Sequence, residues 1–396
     1  MTSPIRIENV ETSHVLPELE RAWKRTDELY ALLDPRALPV RSISLRHPFI
    51  FYLGHLPAFA WNQIARGVLN EPSFHPHFDD LFERGIDPLD DHSADAVRID
   101  DWPEVSEIEA YRDEVRVRLR ECVAKIEAQQ ETSEDPLLRH SRIVHLVIEH
   151  ELMHHETLLY LIQELQPELK RAPEGYSIQR GSAGTTDPET VRIPQGSIRL
   201  GANFDEIPFG WDNEFPEQTI QVPSFEVDTE PVSIARFLEF VESGAYDDRQ
   251  YWGRSDWNWK TDAGVTHPRN WRKDETGTWR RRTMFGEVPL VGVSAWPVIV
   301  SQAEALAYTR WKGARLPFER ELQRATYATH SGAAPQSERL YPWGDDAPRP
   351  EHGNFGGRSF DPVPIGTHTA GASAFGVLET VGNGWEWTNS EFAPFQ

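Results

Sequence analysis

The stretch His150-Glu151-Leu152-Met153-His154-His155-Glu156 decides the fold, because it lies near the end of a long segment with helical periodicity. Two of its histidines, at positions 150 and 154, are about one helical turn apart, so their imidazoles point the same way. Apolar residues at three- and four-residue spacing, from Ile143 and Val147 to Leu158 and Leu161, put both on the buried face. Since buried imidazoles are costly to leave unpartnered, a divalent metal is the simplest partner. A pair of hydrogen-bonded core histidines is the alternative.

The same stretch matches the His-Glu-x-x-His signature of zinc peptidases, in which the glutamate, here Glu151, is the general base. No convincing third ligand for such a site follows soon after in the sequence. His155 is one residue, about 100°, off the stripe that carries the other two histidines, which favours a supporting or surface position over ligation.

Composition narrows the class of protein. The 396 residues suffice for two domains with their own cores. A net charge of -23 and a pI of about 5.1 argue against nucleic acid or an anionic membrane as a partner. A single cysteine excludes an intramolecular disulfide. Because no signal-peptide core or long apolar run occurs, we expect a cytoplasmic protein. We also expect a monomer or a weak oligomer.

Periodicity predicts four helices in the first half, over residues 16–33, 47–64, 105–126 and 135–165, with a long loop over 71–101. Such helices suggest a bundle, whose core commonly holds a metal. The second helix is apolar except for His55, which makes that residue a candidate third ligand as well as an ordinary core histidine. Three histidines with open coordination positions suit a metal that binds substrate and oxygen.

The character of the chain changes near Pro167. Residues 167–190 accumulate Pro, Gly, Ser and Thr and predict a linker. Beyond it, short alternating segments and turns predict a loop-rich domain with one helix, over 301–313. We therefore expect a helical bundle over residues 1–166, a linker over 167–190, and a second domain over 191–396.

Four motifs of the second half resemble the formylglycine-generating-enzyme-like (sulfatase-modifying-factor) module, a C-type-lectin-related fold. They cover residues 209–214, 305–321, 341–344 and 382–387. The first half resembles the DinB-like bundle. Joined in this order, the two resemble the iron(II)-dependent sulfoxide synthases of ergothioneine and ovothiol biosynthesis, together with the selenoneine synthases. The implied fold is α+β, a DinB-like four-helix bundle followed by a C-type-lectin-like domain whose C-terminal end is expected beyond Gln396.

This resemblance implies an Fe(II) ion held by His55, His150 and His154, the residues that the helical-face argument also selects. It implies oxygen-dependent formation of a C–S or C–Se bond at the imidazole C2 of Nα-trimethylhistidine (hercynine), with a thiol or selenol donor and O₂ as the other small-molecule substrates. The family's catalytic tyrosine is expected beyond Gln396, so no catalytic residue is assigned.

Four further residues are candidates for substrate binding. Arg84 falls in the loop where the family often places an arginine for the donor's carboxylate, and a solvated loop arginine is the alternative. Trp252, Trp257 and Trp259 offer aromatic faces that attract a quaternary ammonium. Tryptophans of this module are also ordinary core residues.

Other functions stay open on the sequence alone. Within the family, histidine replaces trimethylhistidine as the acceptor in ovothiol-type 5-histidylcysteine sulfoxide synthases. The bundle also suits a DinB-type metal-dependent thiol transferase or hydrolase, and the lectin-like half suits a binding protein with a vestigial metal site. Metal content distinguishes these classes, since iron with an oxygen requirement, zinc alone, and no metal correspond to the three in turn.

Overall fold

The structure, a computed structural model, describes residues 15–83, 102–330 and 338–393. It divides into two compact units. The helical unit comprises Met1–Glu174 and Asn203–Asp212, and the mixed unit comprises Gly175–Ala202 and Asn213–Gln396. The predicted α+β class, with a helical part before a part that contains small sheets, is confirmed.

All four helices predicted for the helical unit are present, together with one short helix that was not predicted. Within the described residues the five are α1 (Leu16–Tyr30), α2 (Phe49–Ala60), α3 (Pro76–Leu81), α4 (Val105–Glu127) and α5 (Arg142–Glu164). The helix α2 continues as a π-helical segment, Trp61–Val68. The short α3 lies inside the predicted loop, where Nδ1 of His75 caps it by accepting a hydrogen bond from the backbone of Phe78.

The start of α5 was predicted too early, at residue 135. His140 and Ser141 have left-handed backbone angles, with φ of 53° and 54°, so the helix begins only at Arg142. The guanidinium of Arg142 donates to the carbonyls of Phe204 and Ile207 at 2.6 and 3.3 Å and lies 4.0 Å from the Phe204 ring. This contact attaches residues 203–212 to the first turn of the helix that carries the histidine pair.

In its described residues the mixed unit contains short antiparallel strands, four α-helices and long irregular connections. Its strands are β1 (Thr190–Ile193), β2 (Gly196–Leu200), β3 (Gln218–Val222), β4 (Phe225–Asp228), β5 (Trp271–Lys273), β6 (Trp279–Arg282) and β7 (Glu287–Pro289). They form the pairs β1–β4 and β2–β3 and the three-stranded sheet β5–β6–β7. Its helices are α6 (Ile234–Glu242), α7 (Arg254–Asp262), α8 (Gln302–Lys312) and α9 (Glu319–Tyr327).

Only α8 was predicted in this unit, and it has the strongest end signals. Ser301 and Glu304 form a capping box at its start, and Gly313 ends it with a φ of 71°. The other three helices have only nine residues each, too short for a clear periodic signal. No helix in the described part of the chain is long and apolar enough to cross a membrane.

Candidate metal centre

The helices α2 and α5 bring three buried histidines together. His55 on α2 and His150 and His154 on α5 each offer one ring nitrogen, and these nitrogens all lie within 4.8 Å of one another. The Nε2 atoms of His150 and His154 are 3.2 Å apart, and the three side chains are at most 5% exposed. The structure therefore brings together the three histidines that the sequence singled out, and their use as metal ligands stays a prediction.

The three imidazoles are in the protonation state that binds a metal ion. Burial, opposed by a hydrogen bond from its Nδ1 to the Phe82 carbonyl, lowers the pKa of His55 to about 4. Burial and the proximity of His55 lower the pKa of His150 to about 2, and burial with the neighbouring histidines holds the pKa of His154 well below its ordinary range. All three imidazoles are therefore neutral near pH 7, the form that binds metal ions.

The hydrogen bonds of His55 also aim it at the cluster. Its Nδ1 lies 2.7 Å from the Phe82 carbonyl, which accepts only, so the proton resides on Nδ1. The other nitrogen, Nε2, is buried and has no hydrogen-bond partner among the described residues. A lone pair directed at two more imidazoles in a dry site is the arrangement of a metal-ligating histidine oriented by a backbone carbonyl.

Aromatic rings surround the cluster on the α2 side. Phe59 stacks on His150, with ring centroids 3.6 Å apart and planes 13° apart, and Phe51 stacks on His55 at 5.0 Å. The ring of Tyr52 lies 5.4 Å from that of His154. These contacts hold the imidazole planes and exclude water from one side of the site. Three nitrogen ligands suit Zn, Fe, Cu or Ni and leave the remaining coordination positions for other ligands.

Glu151 does not face the three histidines. The hydroxyl of Thr26 on α1 makes a short hydrogen bond to its carboxylate and lies 2.9 Å from Nε2 of His155. The glutamate therefore points towards α1, about 100° away from His150, and is not placed as the base of a zinc peptidase. His155, expected in a supporting or surface position, is buried at 6% exposure. Burial lowers its pKa to about 4 and raises that of Glu151 to about 7.

The structure gives less support to the four residues that the sequence suggested for substrate binding. Arg84 lies outside the described residues. Trp252 is 6% exposed and donates from its indole to the Ala245 carbonyl, as a core residue does. The ammonium of Lys260 lies 5.7 Å from the Trp252 ring and 5.1 Å from the Trp257 ring, so a cation of the protein already occupies these faces. Trp259 is 43% exposed. The use of these residues in substrate binding stays a prediction.

Sequence reasoning missed two contributors to the site, the backbone carbonyl of Phe82 and the glycine at position 54. The Phe82 carbonyl is a backbone atom, and no side-chain pattern marks it. Gly54 was the available signal, because a glycine in the middle of an apolar helix weakens that helix unless something packs closely against it. A Cβ at that position would lie 2.5 Å from the ring of Phe82, so the glycine allows the segment after α3 to approach His55.

Comparisons with known proteins cover both units. Residues 178–396 match the sulfatase-modifying factor enzyme 1-like domain, and residues 18–158 match the DinB superfamily. The hercynine oxygenase of Mycolicibacterium thermoresistibile is 35% identical over 250 residues, 63% of this chain and 54% of that protein. Ergothioneine biosynthesis protein 1 of Neurospora crassa is 30% identical over 353 residues, 82% of this chain and 40% of that protein.

A formylglycine-generating enzyme of Mycobacterium tuberculosis is 31% identical over 239 residues, 52% of this chain and 75% of that enzyme. The chain spans about half the length of the hercynine oxygenases that it matches. The DinB match contains all three clustered histidines, and the sulfatase-modifying-factor match covers more than half of the chain. The chain therefore belongs to the sulfatase-modifying factor enzyme 1-like family, and a DinB superfamily bundle precedes that domain.

Proposed function

We propose that the chain is a non-haem iron(II), O₂-dependent synthase that joins a sulfur or selenium donor to the imidazole C2 of Nα-trimethylhistidine (hercynine). The observation that carries the proposal is the buried cluster of His55, His150 and His154 within the DinB-matching bundle. The names of two relatives, hercynine oxygenase and ergothioneine biosynthesis protein 1, support this acceptor. The cluster supplies only neutral nitrogen ligands, which leaves the charge of the ion to attract an anionic thiolate or selenolate donor.

For a thiol donor, the overall reaction balances with O₂ as the only oxidant. The thiol loses its S–H hydrogen and the imidazole loses its C2–H hydrogen as the C–S bond forms. One oxygen atom of O₂ becomes the sulfoxide oxygen, and the other leaves in water with those two hydrogens. Iron, when bound, supplies the redox chemistry that makes O₂ reactive and a point at which the donor sulfur is held.

The described residues have distinct tasks in this proposal. Each clustered histidine presents a neutral ring nitrogen, and the Phe82 carbonyl keeps the proton of His55 on Nδ1 so that Nε2 is free to coordinate. Phe51 and Phe59 fix two of the ring planes by stacking. Together these groups hold the reactants in register, the contribution that proteins typically make to such chemistry.

The acceptor is tested by comparing two amines. A trimethylated amine offers no hydrogen-bond donors, whereas the ammonium of histidine offers three, so one site rarely serves both equally. We expect at least tenfold higher kcat/KM with trimethylhistidine than with histidine, which corresponds to about 1.4 kcal/mol. Steady-state assays with each acceptor and with cysteine, γ-glutamylcysteine or a selenosugar as donor measure this. Equal or better use of histidine would assign the chain to the ovothiol type.

A DinB-type thiol transferase or hydrolase is the second candidate, because the DinB match at residues 18–158 contains the whole histidine cluster. Reconstitution with Fe(II) or Zn(II), with and without O₂, separates the two. Oxygen consumption that requires iron, acceptor and donor together supports the synthase. Turnover with zinc in the absence of oxygen would support the second candidate instead.

A further inference from the structure

The helix α5 carries a second pair of polar residues beside the first. Glu151 and His155 each follow one of the clustered histidines by one residue and are four residues apart themselves. Since successive residues are rotated by about 100°, the two pairs face different neighbours. His150 and His154 face His55 on α2, whereas Glu151 and His155 face Thr26 on α1.

The contacts of the second pair form a continuous chain. The Thr26 hydroxyl donates to the carboxylate of Glu151, and it also lies 3.3 Å from the Ala22 carbonyl one turn earlier on α1. Its oxygen then accepts from Nε2 of His155, 2.9 Å away. All three side chains are buried, at 4%, 2% and 6% exposure. The three side chains are therefore joined by hydrogen bonds in the interior of the bundle, where the Ala22 carbonyl is a further partner of Thr26 and His155.

We propose that Thr26, Glu151 and His155 are positioning residues that fix the rotation of α5 about its axis, so that His150 and His154 converge on the same point as His55. The inference rests on the metal site of the proposed function but does not depend on which reaction that site catalyses. None of the three residues is a ligand in this proposal.

The required accuracy explains why apolar packing is insufficient for this task. A ring atom about 5 Å from the helix axis moves by about 0.9 Å when the helix rotates by about 10°. Metal–ligand distances tolerate only about 0.2 Å. Apolar stripes accept small rotations because the hydrophobic effect has no direction, whereas buried hydrogen bonds lose their partners when the angle changes.

The test replaces Thr26 by Val, which keeps the volume and removes the hydroxyl, and by Ser, which keeps the hydroxyl. A third variant, Glu151→Gln, keeps the size of that side chain and removes its charge. The control is Val123→Ala, which creates a cavity at a fully buried position of α4 and changes no residue of α1 or α5. For each protein, Co(II) affinity is measured by competition with a chelator, and the visible spectrum of bound Co(II) reports ligand geometry. Urea unfolding of the metal-free protein reports stability.

We expect Thr26→Val to weaken Co(II) binding at least tenfold and to shift the visible bands, with recovery in Thr26→Ser and a smaller effect in Glu151→Gln. Val123→Ala should be destabilised while keeping the wild-type affinity and spectrum. The inference is overturned if Thr26→Val loses stability like the control and keeps both properties. It also falls if the wild-type protein binds no Co(II), since the metal site would then be wrong. Wild-type Co(II) binding without sulfoxide synthesis would instead reject the proposed function and leave the positioning role intact.

Discussion

Replacing Gly54 by Ala tests how closely the structure controls its histidine cluster. The added methyl would lie 2.5 Å from three ring atoms of Phe82, closer than real Cβ contacts. The ring cannot move away freely, because Phe82 is fully buried and packs against Phe78 at 5.5 Å and Trp102 at 6.3 Å. A shift of the Phe82 backbone to relieve the clash would also move the carbonyl that lies 2.7 Å from Nδ1 of His55.

Two opposing terms set the stability of this variant. Alanine improves the middle of a helix by about 0.5–1 kcal/mol relative to glycine. Overpacking in a filled core costs about 1–3 kcal/mol. The free energy of unfolding of the metal-free protein should therefore fall by roughly 0–2.5 kcal/mol. Metal affinity should fall more clearly, by about 10- to 100-fold, as is typical when the group that orients a ligating histidine is lost. That loss corresponds to about 1.4–2.7 kcal/mol.

Urea unfolding and chelator competition with Co(II) measure the two effects separately. The double variant Gly54→Ala/Phe82→Leu removes the ring that the methyl meets and keeps the backbone carbonyl, so it should recover most of the affinity. The single variant Phe82→Leu is the matched control. Wild-type affinity in Gly54→Ala would refute the reasoning, and so would a loss that the double variant fails to recover, because the clash would then not be its cause.

Three further predictions concern other parts of the chain. Replacing any one of His55, His150 or His154 by Ala should reduce bound metal below one ion per chain, since each supplies a third of the protein ligands; full retention in one variant removes that residue from the ligand set. Arg324 is 1% exposed and donates to three backbone carbonyls between residues 194 and 197, so Arg324→Met should destabilise the mixed unit by about 2–4 kcal/mol. An unchanged urea midpoint would contradict this. Burial lowers the pKa of His145 from 6.5 to about 4, so the stability this residue contributes above pH 6.5 is lost as the pH falls towards 4. Between pH 6.5 and pH 4 the His145→Gln variant should lose less stability than the wild-type protein. An equally steep fall in the free energy of unfolding with pH in both proteins would contradict this prediction.

Sequence periodicity predicted the long helices of the first unit because each buries one stripe against several neighbours. It failed where backbone conformation rather than side-chain pattern decides the boundary. The residues before α5 have left-handed angles at His140 and Ser141, and neither is a glycine that would announce such a conformation. In the mixed unit, nine-residue helices such as α6 and α9 complete too few turns for a stripe to stand out from strand alternation.

The candidate site likewise has parts that the sequence predicts and parts that depend on backbone conformation and packing. The proximity of His150 and His154 was predictable from their helical spacing, and His55 was a candidate because it interrupts an apolar helix; their role as metal ligands stays a prediction. The orientation of His55 was not predictable, since a backbone carbonyl 27 residues away determines it. The role of Glu151 was misread in the zinc-peptidase alternative because the His-Glu-x-x-His string does not state which face of the helix meets which neighbour. Only the packing of α1 against α5 decides that.

The departures from ordinary packing are concentrated on α2, around His55. Gly54 has a low helix propensity, and Pro57 inside the helix removes a backbone hydrogen-bond donor. The helix then continues as a π-helical segment. The three imidazoles of the cluster are buried and their pKa values are lowered, and Nε2 of His55 and Nδ1 of His154 have no hydrogen-bond partner among the described residues. Each of these features is expected to lower the stability of the metal-free protein. Sites where several destabilising features of this kind occur together are typically functional. Selection for stability alone would have removed such features one by one. A bound ion offsets these costs in the folded state only, since the unfolded chain does not hold the three nitrogens together.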